Sequence, residues 1–482
     1  MSSKPPITRT GQSGWFGHRT ARLKSLAVVG TISLGFAGAA FAAATPASAD
    51  PAFSYVMVGS DTIQDVMNGF AFATGGETGG GYIASYDAVD PVLGPPPTGT
   101  FQTITPSKNV GQTSQTSCSF SRPNGSGQGL GAIDYSFNPG SSLLTSGATG
   151  PQPGCVDIAR SSSGPGSGIT APNLGAQDTA GGLIYIPFAL DAVTGATGPT
   201  TAGTTAQPIE CTASDTNCTN INSTTGVGTD PTYMVPASTL PLSIVSTFTQ
   251  ANLTSLYTCV GNATPPNDFV AVGGDNFYPN FDAPTGVATD INIHLYLPQS
   301  GSGTAKFWAG KVGLTPGATP PACVHQTIVG GPANGLIVEE HDGTDVASDP
   351  AGYTPFSIAQ FIAQTNGIHP RLHSVQLQPV NGVAPIVNSK LNTASPFIRE
   401  VYLDMQYGAV VNGAGIPGQT FDPILSGLFA STTSALCGNG FLINHYGFAT
   451  LPASGGPTPD QCGATSNSLR IQEFANGSAG GH

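Results

Sequence analysis

Charged residues are scarce in this sequence, and their scarcity excludes two classes of protein. Only 9% of the 482 residues are Asp, Glu, Lys or Arg, against roughly 25% in an ordinary soluble domain. A coiled coil needs charged residues along its exposed faces, so it is excluded. An acidic disordered chain combines high charge with low hydrophobicity, whereas 39% of this chain is apolar. The length instead fits about two or three folded domains.

Among the charged residues, Lys and Arg are fewer than Asp and Glu, and they are unevenly distributed. Five of the 14 Lys and Arg residues lie in the first 49 positions, which contain no Asp or Glu. The remainder therefore carries all 27 acidic residues and only nine basic ones. Because such a surface repels a phosphate backbone, we expect no binding to nucleic acid.

Long apolar runs are missing beyond residue 44. The basic N-terminal segment leads into an apolar run of small residues, 26–44, and then into Ala47-Ser48-Ala49. This order is typical of a secretory signal peptide, here 1–49, with cleavage after Ala49; a retained membrane anchor is the alternative. No later run approaches the ~20 apolar residues that cross a bilayer. We therefore predict a secreted, extracellular protein with no stable membrane insertion after cleavage.

The eight cysteines all follow position 49, and no two are spaced as C-x-x-C. An even number in an exported chain indicates disulfide bonds, whereas a zinc site needs Cys or His pairs at ligand spacing. No metal or cofactor is expected. We predict that sequence neighbours pair, which gives Cys118–Cys155, Cys211–Cys218, Cys259–Cys323 and Cys437–Cys462.

Short apolar runs alternate with helical patterns along the chain. The run 53–58 ends in a Gly-Ser-Asp-Thr turn, and apolar residues then recur at helical spacing up to Phe70. Ser357 and Gln360 mark the start of another helical stretch, 358–364. Strands that alternate with helices predict an α/β fold.

Four loops of small residues carry the candidate site. They lie at 59–62, 122–129, 157–164 and 300–304, and each combines glycine with hydroxyl residues. Glycine allows close approach of the backbone, hydroxyls donate hydrogen bonds, and helix N-termini present N–H groups with partial positive charge. Several such loops together would bind a small oxyanion without a lysine cluster. For any single loop, a plain turn or helix cap is the alternative.

The placement of positive charge favours an anion site. Three of the nine remaining basic residues, Arg122, Arg160 and Lys306, lie inside or beside these loops. A buried Arg gives paired, charge-assisted hydrogen bonds to an anion. Each could equally pair with a nearby carboxylate, such as Asp157.

The loops, taken in this order, resemble those of the phosphate-binding component of bacterial ABC transporters, a type II periplasmic binding protein. The likeness covers most of 52–452. It implies an α/β fold of two lobes, with a ligand cleft between lobes that are joined by hinge strands. The similar segments are GSDT at 59–62, GSGQG at 125–129, DIARSS at 157–162, YIPFALDAV at 185–193, PQSGSGT at 298–304, SPFIREVYL at 395–403 and HYGFATLP at 445–452.

The resemblance implies ligand contacts from all four loops. Where the family has an Arg this chain has Pro298, and where the family has a ligand-contacting Asp it has Ser162, so the choice of oxyanion stays open. Arg160 would supply the missing charge and Asp61 the missing acceptor. The predicted ligand-binding residues are Ser60, Asp61, Thr62, Ser126, Arg160, Ser161, Ser162, Ser302, Gly303 and Thr304.

The same resemblance divides the chain into segments. Residues 50–188 and 390–452 would form lobe 1, 189–389 lobe 2, and 453–482 a C-terminal extension. The acidic stretch 339–345 lacks the spacing of a calcium loop, and we interpret it as a turn that could also line the cleft.

The expected function is capture of a small oxyanion, with inorganic phosphate as the first candidate, by a monomer that serves an ABC permease. No G-x-S-x-G, H-E-x-x-H or Walker A motif is present, so an enzyme is not expected. Two alternatives stay open. One is a secreted surface or matrix protein that keeps the fold but has lost its ligand or changed it, to another oxyanion or a small organic acid. The other is a phosphatase-like enzyme.

Overall fold

The computed structural model describes much of the chain after residue 54, and the predicted signal peptide, 1–49, lies outside the described residues. Those are 55–74, 82–91, 93–94, 96, 99–106, 108, 118–139, 143–165, 182–198, 207–212, 227–235, 248–259, 270–272, 275–282, 288–329, 333–349, 352–416, 418–451, 461–466 and 469–471.

The helices are short, and several begin at a side chain that caps them. Ser357, for example, accepts a hydrogen bond from Gln360 N–H, as its spacing predicts. The helices are α1 (Gln64–Ala73), α2 (Ser126–Phe137), α3 (Gln250–Tyr257), α4 (Gly303–Lys311), α5 (Thr344–Ser348), α6 (Ile358–Thr365), α7 (Tyr407–Val410), α8 (Pro423–Phe429) and α9 (Gly440–His445).

The strands range from two residues to the fifteen of β6. They are β1 (Tyr55–Gly59), β2 (Ile83–Ser85), β3 (Thr103–Ile104), β4 (Phe120–Ser121), β5 (Ile158–Ser161), β6 (Leu183–Thr197), β7 (Gln207–Thr212), β8 (Val227–Val235), β9 (Val270–Val272), β10 (Asp275–Asp282), β11 (Ala288–Tyr296), β12 (Val324–His325), β13 (Gly352–Ser357), β14 (Gln376–Gln378), β15 (Ile386–Val387), β16 (Lys390–Leu391), β17 (Ile398–Gln406), β18 (Ala449–Thr450) and β19 (Arg470–Ile471).

Most of the long strands belong to one mixed sheet, in the order β2-β1-β5-β17-β6-β13-β11-β10-β9. β1 is parallel to β2 and β5, whereas β17 runs antiparallel to both β5 and β6. β6 pairs with β17 from Leu183 to Ala192 and with β13 from Val193 to Thr197. The predicted α/β class is confirmed, and β6 is the strand that both halves of the sheet share.

The buried apolar side chains separate along β6 into a larger and two smaller groups. Ala192 belongs to the large group around β1, β5 and β17, whereas Val193 packs with Trp308 and Tyr257. Ala196 packs in a third group with the β13 residue Phe356. The buried core therefore divides along β6, the strand that runs from one half of the predicted two-lobe fold to the other, while α6 packs in the large group. The segment boundaries near 188 and 390 stay predictions.

Three of the four predicted disulfides are confirmed. Cys118–Cys155, Cys259–Cys323 and Cys437–Cys462 are bonded, with Cα–Cα distances of 5.6, 6.0 and 5.7 Å. Cys218 lies outside the described residues, so Cys211–Cys218 stays a prediction. Within the described ranges, no helix is both long enough and apolar enough to cross a membrane.

Candidate functional site

The four loops meet in one buried place. Ser60 Oγ donates a hydrogen bond to Ser162 Oγ over 3.1 Å, and Ser126 Oγ lies 3.2 Å from Ser162 Oγ. Thr62 Oγ1 lies 3.2 Å from Thr304 Oγ1. We name these residues the hydroxyl cluster; each is at most 2% exposed, and they are Ser60, Thr62, Ser126, Ser162, Ser302 and Thr304.

Two loops meet because the strands before them are neighbours. β1 and β5 are parallel, with Gly59 paired to Arg160, so Ser60 and Ser162 leave the sheet at the same edge. Gly59 has a φ of 112°, and a Cβ there would lie 2.8 Å from the carbonyl oxygen of Arg160. Only glycine accommodates both the turn and this contact.

The N-termini of α2 and α4 complete the cluster. Gly127 N–H donates to the carbonyl oxygen of Gly301 at 3.0 Å, so the two helices begin side by side. Ser302 caps α4 by accepting a hydrogen bond from Ala305 N–H at 2.8 Å. Because helix N-termini carry partial positive charge, this arrangement favours an anion near them.

Gly303 brings α4 against the hydroxyls of the other loops. A Cβ built on Gly303 would lie 2.3 Å from Ser126 Oγ and 2.4 Å from Ser162 Oγ. Real Cβ atoms essentially never approach another atom so closely. The first residue of α4 therefore has to be glycine for the cluster to close in this way.

The carboxylate of Glu340 lies inside the cluster. Its Oε2 accepts a hydrogen bond from Thr62 Oγ1 at 2.9 Å. Its Oε1 accepts one from Thr304 N–H at 3.1 Å and another from the Ser302 hydroxyl. Three residues predicted to bind an oxyanion therefore already bind one, supplied by the chain itself.

Glu340 is held in its ionised form. Burial by itself would raise its pKa, but hydrogen bonds with His341 and Ser302 and the charge of Arg399 lower the pKa of Glu340 to about 2. His341 has a left-handed φ of 60°, and its Nε2 lies 2.9 Å from Thr62 Oγ1. The sequence indicates that 339–345 is a turn that could also line the cleft, but nothing in it singles out Glu340.

Arg399 is the cation of the cluster. Its Nη2 donates to Thr304 Oγ1 at 2.8 Å, and its Nε and Nη2 donate to Asp191 Oδ2 at 3.1 and 2.8 Å. Both side chains are almost fully buried, and Nη1 of Arg399 is a buried donor with no hydrogen-bond partner among the residues that the structure describes. Sequence reasoning placed Arg399 in a family-like segment but gave it no role in the site.

Three predicted ligand-binding residues form their bonds outside the cluster. The Arg160 guanidinium donates to Ser85 Oγ at 2.8 Å and to the carbonyl oxygens of Gly59 and Tyr86. Asp61 accepts a hydrogen bond from Arg371 at 3.2 Å, and burial raises the pKa of Asp61 while Arg371 opposes that rise. Ser161 donates to the carbonyl oxygen of Ser163. Their contact with a ligand stays a prediction.

Arg160→Ala should destabilise the fold, because it removes the buried guanidinium that donates to Ser85 Oγ and to the carbonyl oxygens of Gly59 and Tyr86. We expect a loss of about 3 kcal/mol in the free energy of unfolding, measured by urea denaturation. Lys390→Ala, at an exposed position, is the control and should change it by less than about 0.5 kcal/mol. An unchanged midpoint for Arg160→Ala would contradict the structural role.

Glu339 is a second buried carboxyl in the same turn. Both of its oxygens accept hydrogen bonds from Asn124 Nδ2 at 3.0 Å. Burial raises the pKa of Glu339 to about 8, and the Asn124 bond only partly opposes this. The folded chain therefore keeps a proton on Glu339 at pH values where the unfolded chain has lost it.

Glu339→Gln should make the chain more stable at pH 8 but not at pH 4. The ordinary pKa is 4.5 and the folded one about 8, so this carboxyl costs stability increasingly as pH rises between those values. The neutral amide avoids that cost, and we expect a gain of about 4 kcal/mol at pH 8. Urea denaturation of both proteins from pH 4 to pH 8 measures it; a difference that does not vary with pH would contradict the assignment.

Comparison with known proteins gives neighbours in structure. No family model and no curated protein sequence matches the chain. A candidate phosphate ABC transporter substrate-binding protein from Clostridium perfringens, solved with bound phosphate, is similar at a TM-score of 0.37 and 10% identity, over 83% of this chain and 99% of that one. An ABC-type phosphate transport receptor from Vibrio cholerae is similar at 0.36 and 14%, over 82% and 99%. Likeness at this level says nothing of what this chain binds.

Proposed function

We propose that this protein is a secreted solute-binding protein that captures a small oxyanion, with inorganic phosphate as the first candidate. One observation carries the proposal: Thr62, Ser302 and Thr304 direct their donors at the two oxygens of a carboxylate. Hydroxyl and backbone N–H donors that hold one oxyanion offer the same hydrogen bonds to another. No covalent chemistry is part of this function.

The family that the loops resemble has an Arg where this chain has Pro298, and Arg399 supplies the positive charge in its place. Its Nη2 donates a hydrogen bond to Thr304 of the cluster, and within the described part of the chain its Nη1 has no partner. Ser60, Ser126 and Ser162, which lie in the predicted lobe 1 with Arg399, would add neutral donors. Because hydroxyls accept as well as donate hydrogen bonds, the cluster fits an oxyanion that still carries a proton, as phosphate does and sulfate does not at neutral pH.

Closure of the lobes would bury the ligand. Thr62 lies in the predicted lobe 1, whereas Ser302 and Thr304 lie in the predicted lobe 2, and β6 and β17 are the antiparallel pair that would bend between them. Delivery to an ABC permease is the proposed use of the captured ligand. The predicted signal peptide and the three disulfides support an extracellular location.

A calorimetric titration tests this function. The full chain, expressed for secretion, is titrated with phosphate, sulfate and molybdate; phosphate binding with a clear preference over sulfate supports the proposal. Acetate and oxalate belong in the same series, because a site that holds a carboxylate also favours a small organic acid. No heat from any of these ligands, in a protein that unfolds cooperatively, would favour a surface or matrix protein. Hydrolysis of a chromogenic phosphoester would favour an enzyme.

A further inference from the structure

We infer that Glu340 is a built-in competitor for the oxyanion site, so that a ligand binds only when it displaces this carboxylate. The inference rests on the proposed function and concerns how that site is regulated. The observation behind it concerns three donors from residues predicted to bind the ligand, namely Thr62 Oγ1, Thr304 N–H and the Ser302 hydroxyl. All three donate their hydrogen bonds to Glu340.

The two anions exclude each other. The charged or titratable groups at this point are Glu340 itself, Arg399 with its partner Asp191, His341 and, through their charges, Lys306, Glu339 and Asp61 with its partner Arg371. Arg399 already balances the charge of Asp191, so one cation here faces both Asp191 and any anion bound at the cluster. Because the ligand and the carboxylate would use the same three donors, only one of them can hold those donors at a time.

The competitor stays in place when the lobes separate. Glu340, Ser302 and Thr304 all belong to the predicted lobe 2, whereas Thr62, the third residue that donates to Glu340, comes from the predicted lobe 1. Opening the cleft would break the Thr62 bond but leave the two bonds to the start of α4 intact. The carboxylate would then still be bound at the N-terminus of α4.

The turn that carries Glu340 is anchored separately from it. Asp342 Oδ1 accepts hydrogen bonds from Thr344 N–H and Thr344 Oγ1 at 3.0 and 2.6 Å, and Gln364 Nε2 donates to the carbonyl oxygen of His341 at 2.8 Å. None of these bonds involves the Glu340 side chain. These anchors therefore remain when the carboxylate is displaced or replaced.

Glu340→Gln tests the inference by calorimetry with inorganic phosphate at pH 7.5. The neutral amide carries no charge to repel the ligand. Its carbonyl oxygen can still accept from Thr304 N–H and Ser302, but its NH₂ group cannot accept the hydrogen bond from Thr62 Oγ1. Phosphate should therefore bind at least tenfold more tightly, about 1.4 kcal/mol. Glu340→Asp keeps the charge on a shorter side chain, and its phosphate affinity should lie between that of the unaltered chain and that of Glu340→Gln. Glu339→Gln is the matched control, in the same turn but bonded to Asn124, and should change affinity less than about twofold.

The outcomes separate this inference from the proposed function. Tighter binding by Glu340→Gln, including binding that the unaltered chain does not show, supports the competitor. Binding by the unaltered chain that Glu340→Gln leaves unchanged overturns the competitor but not the function. Weaker binding with a lost preference over sulfate also overturns it, and would make Glu340 the acceptor of the phosphate proton. Absence of binding in every protein, with each shown to be folded by urea denaturation, overturns the function itself.

Discussion

Gly303→Ala should abolish oxyanion binding while the chain stays folded. The added Cβ would lie 2.3 Å from Ser126 Oγ and 2.4 Å from Ser162 Oγ, so both hydroxyls would have to turn away. Ser126 Oγ also accepts a hydrogen bond from Ser162 N–H at 2.9 Å, and that turn would break it. We expect at least a hundredfold loss of phosphate affinity, about 2.8 kcal/mol, by calorimetric titration.

The fold should tolerate this substitution because position 303 opens a helix. Alanine is the better helix former, by about 1 kcal/mol in a helix interior, and this offsets part of the strain. Gly310→Ala is the matched control in the same helix, since a Cβ there meets only Pro316 Cγ, at an ordinary 3.5 Å. Phosphate binding by Gly303→Ala at the affinity of the unaltered chain would show that the ligand does not contact the start of α4.

The convergence of the four loops could be predicted because its causes are local. Glycine and hydroxyl residues directly after a strand or before a helix indicate where the backbone turns, and parallel neighbours such as β1 and β5 bring their ends to one edge. The disulfides were predictable for a similar reason. Each of the three confirmed pairs joins cysteines that are neighbours in the sequence.

The charged members of the site could not be predicted, because their partners are distant in sequence. Thr62 and Glu340 are separated by 278 residues, and Arg399 and Asp191 by 208. No spacing rule joins such pairs, and each acid is one of 27 in the chain. The hydrogen-bond partners of Arg160 could not be predicted either. A loop motif does not show whether a side chain points to a ligand or to nearby carbonyl groups.

Arg399→Met should have the largest effect on stability, because it leaves Asp191 as a buried charge without a cation. Asp191 is fully buried, and Arg399 supplies two hydrogen bonds to its Oδ2. Removal of one partner from a buried ion pair costs about 3–5 kcal/mol. Urea denaturation should therefore show a large drop in the free energy of unfolding, together with loss of phosphate binding.

A double-mutant cycle with Asp191→Asn separates charge from packing. The Asn side chain can still accept the bonds that Asp191 Oδ1 receives from Ser357 Oγ and Ala359 N–H, at 2.8 and 3.1 Å, but it carries no charge. Arg399→Met added to Asp191→Asn should then cost at least about 2 kcal/mol less than Arg399→Met alone.

The control for the aromatic contact is Lys311→Met. Its Nζ and the Arg399 guanidinium both lie 5.3 Å from the centre of the Phe307 ring, but only Arg399 pairs with Asp191. If both Met variants lose the same stability, the ring contact and not the ion pair explains the effect. Suppose instead that Arg399→Met leaves stability unchanged, with Asp191 or with Asn at that position, while phosphate binding is lost. That result would show that the guanidinium binds the ligand and that its bond to Asp191 contributes nothing to the stability of the fold.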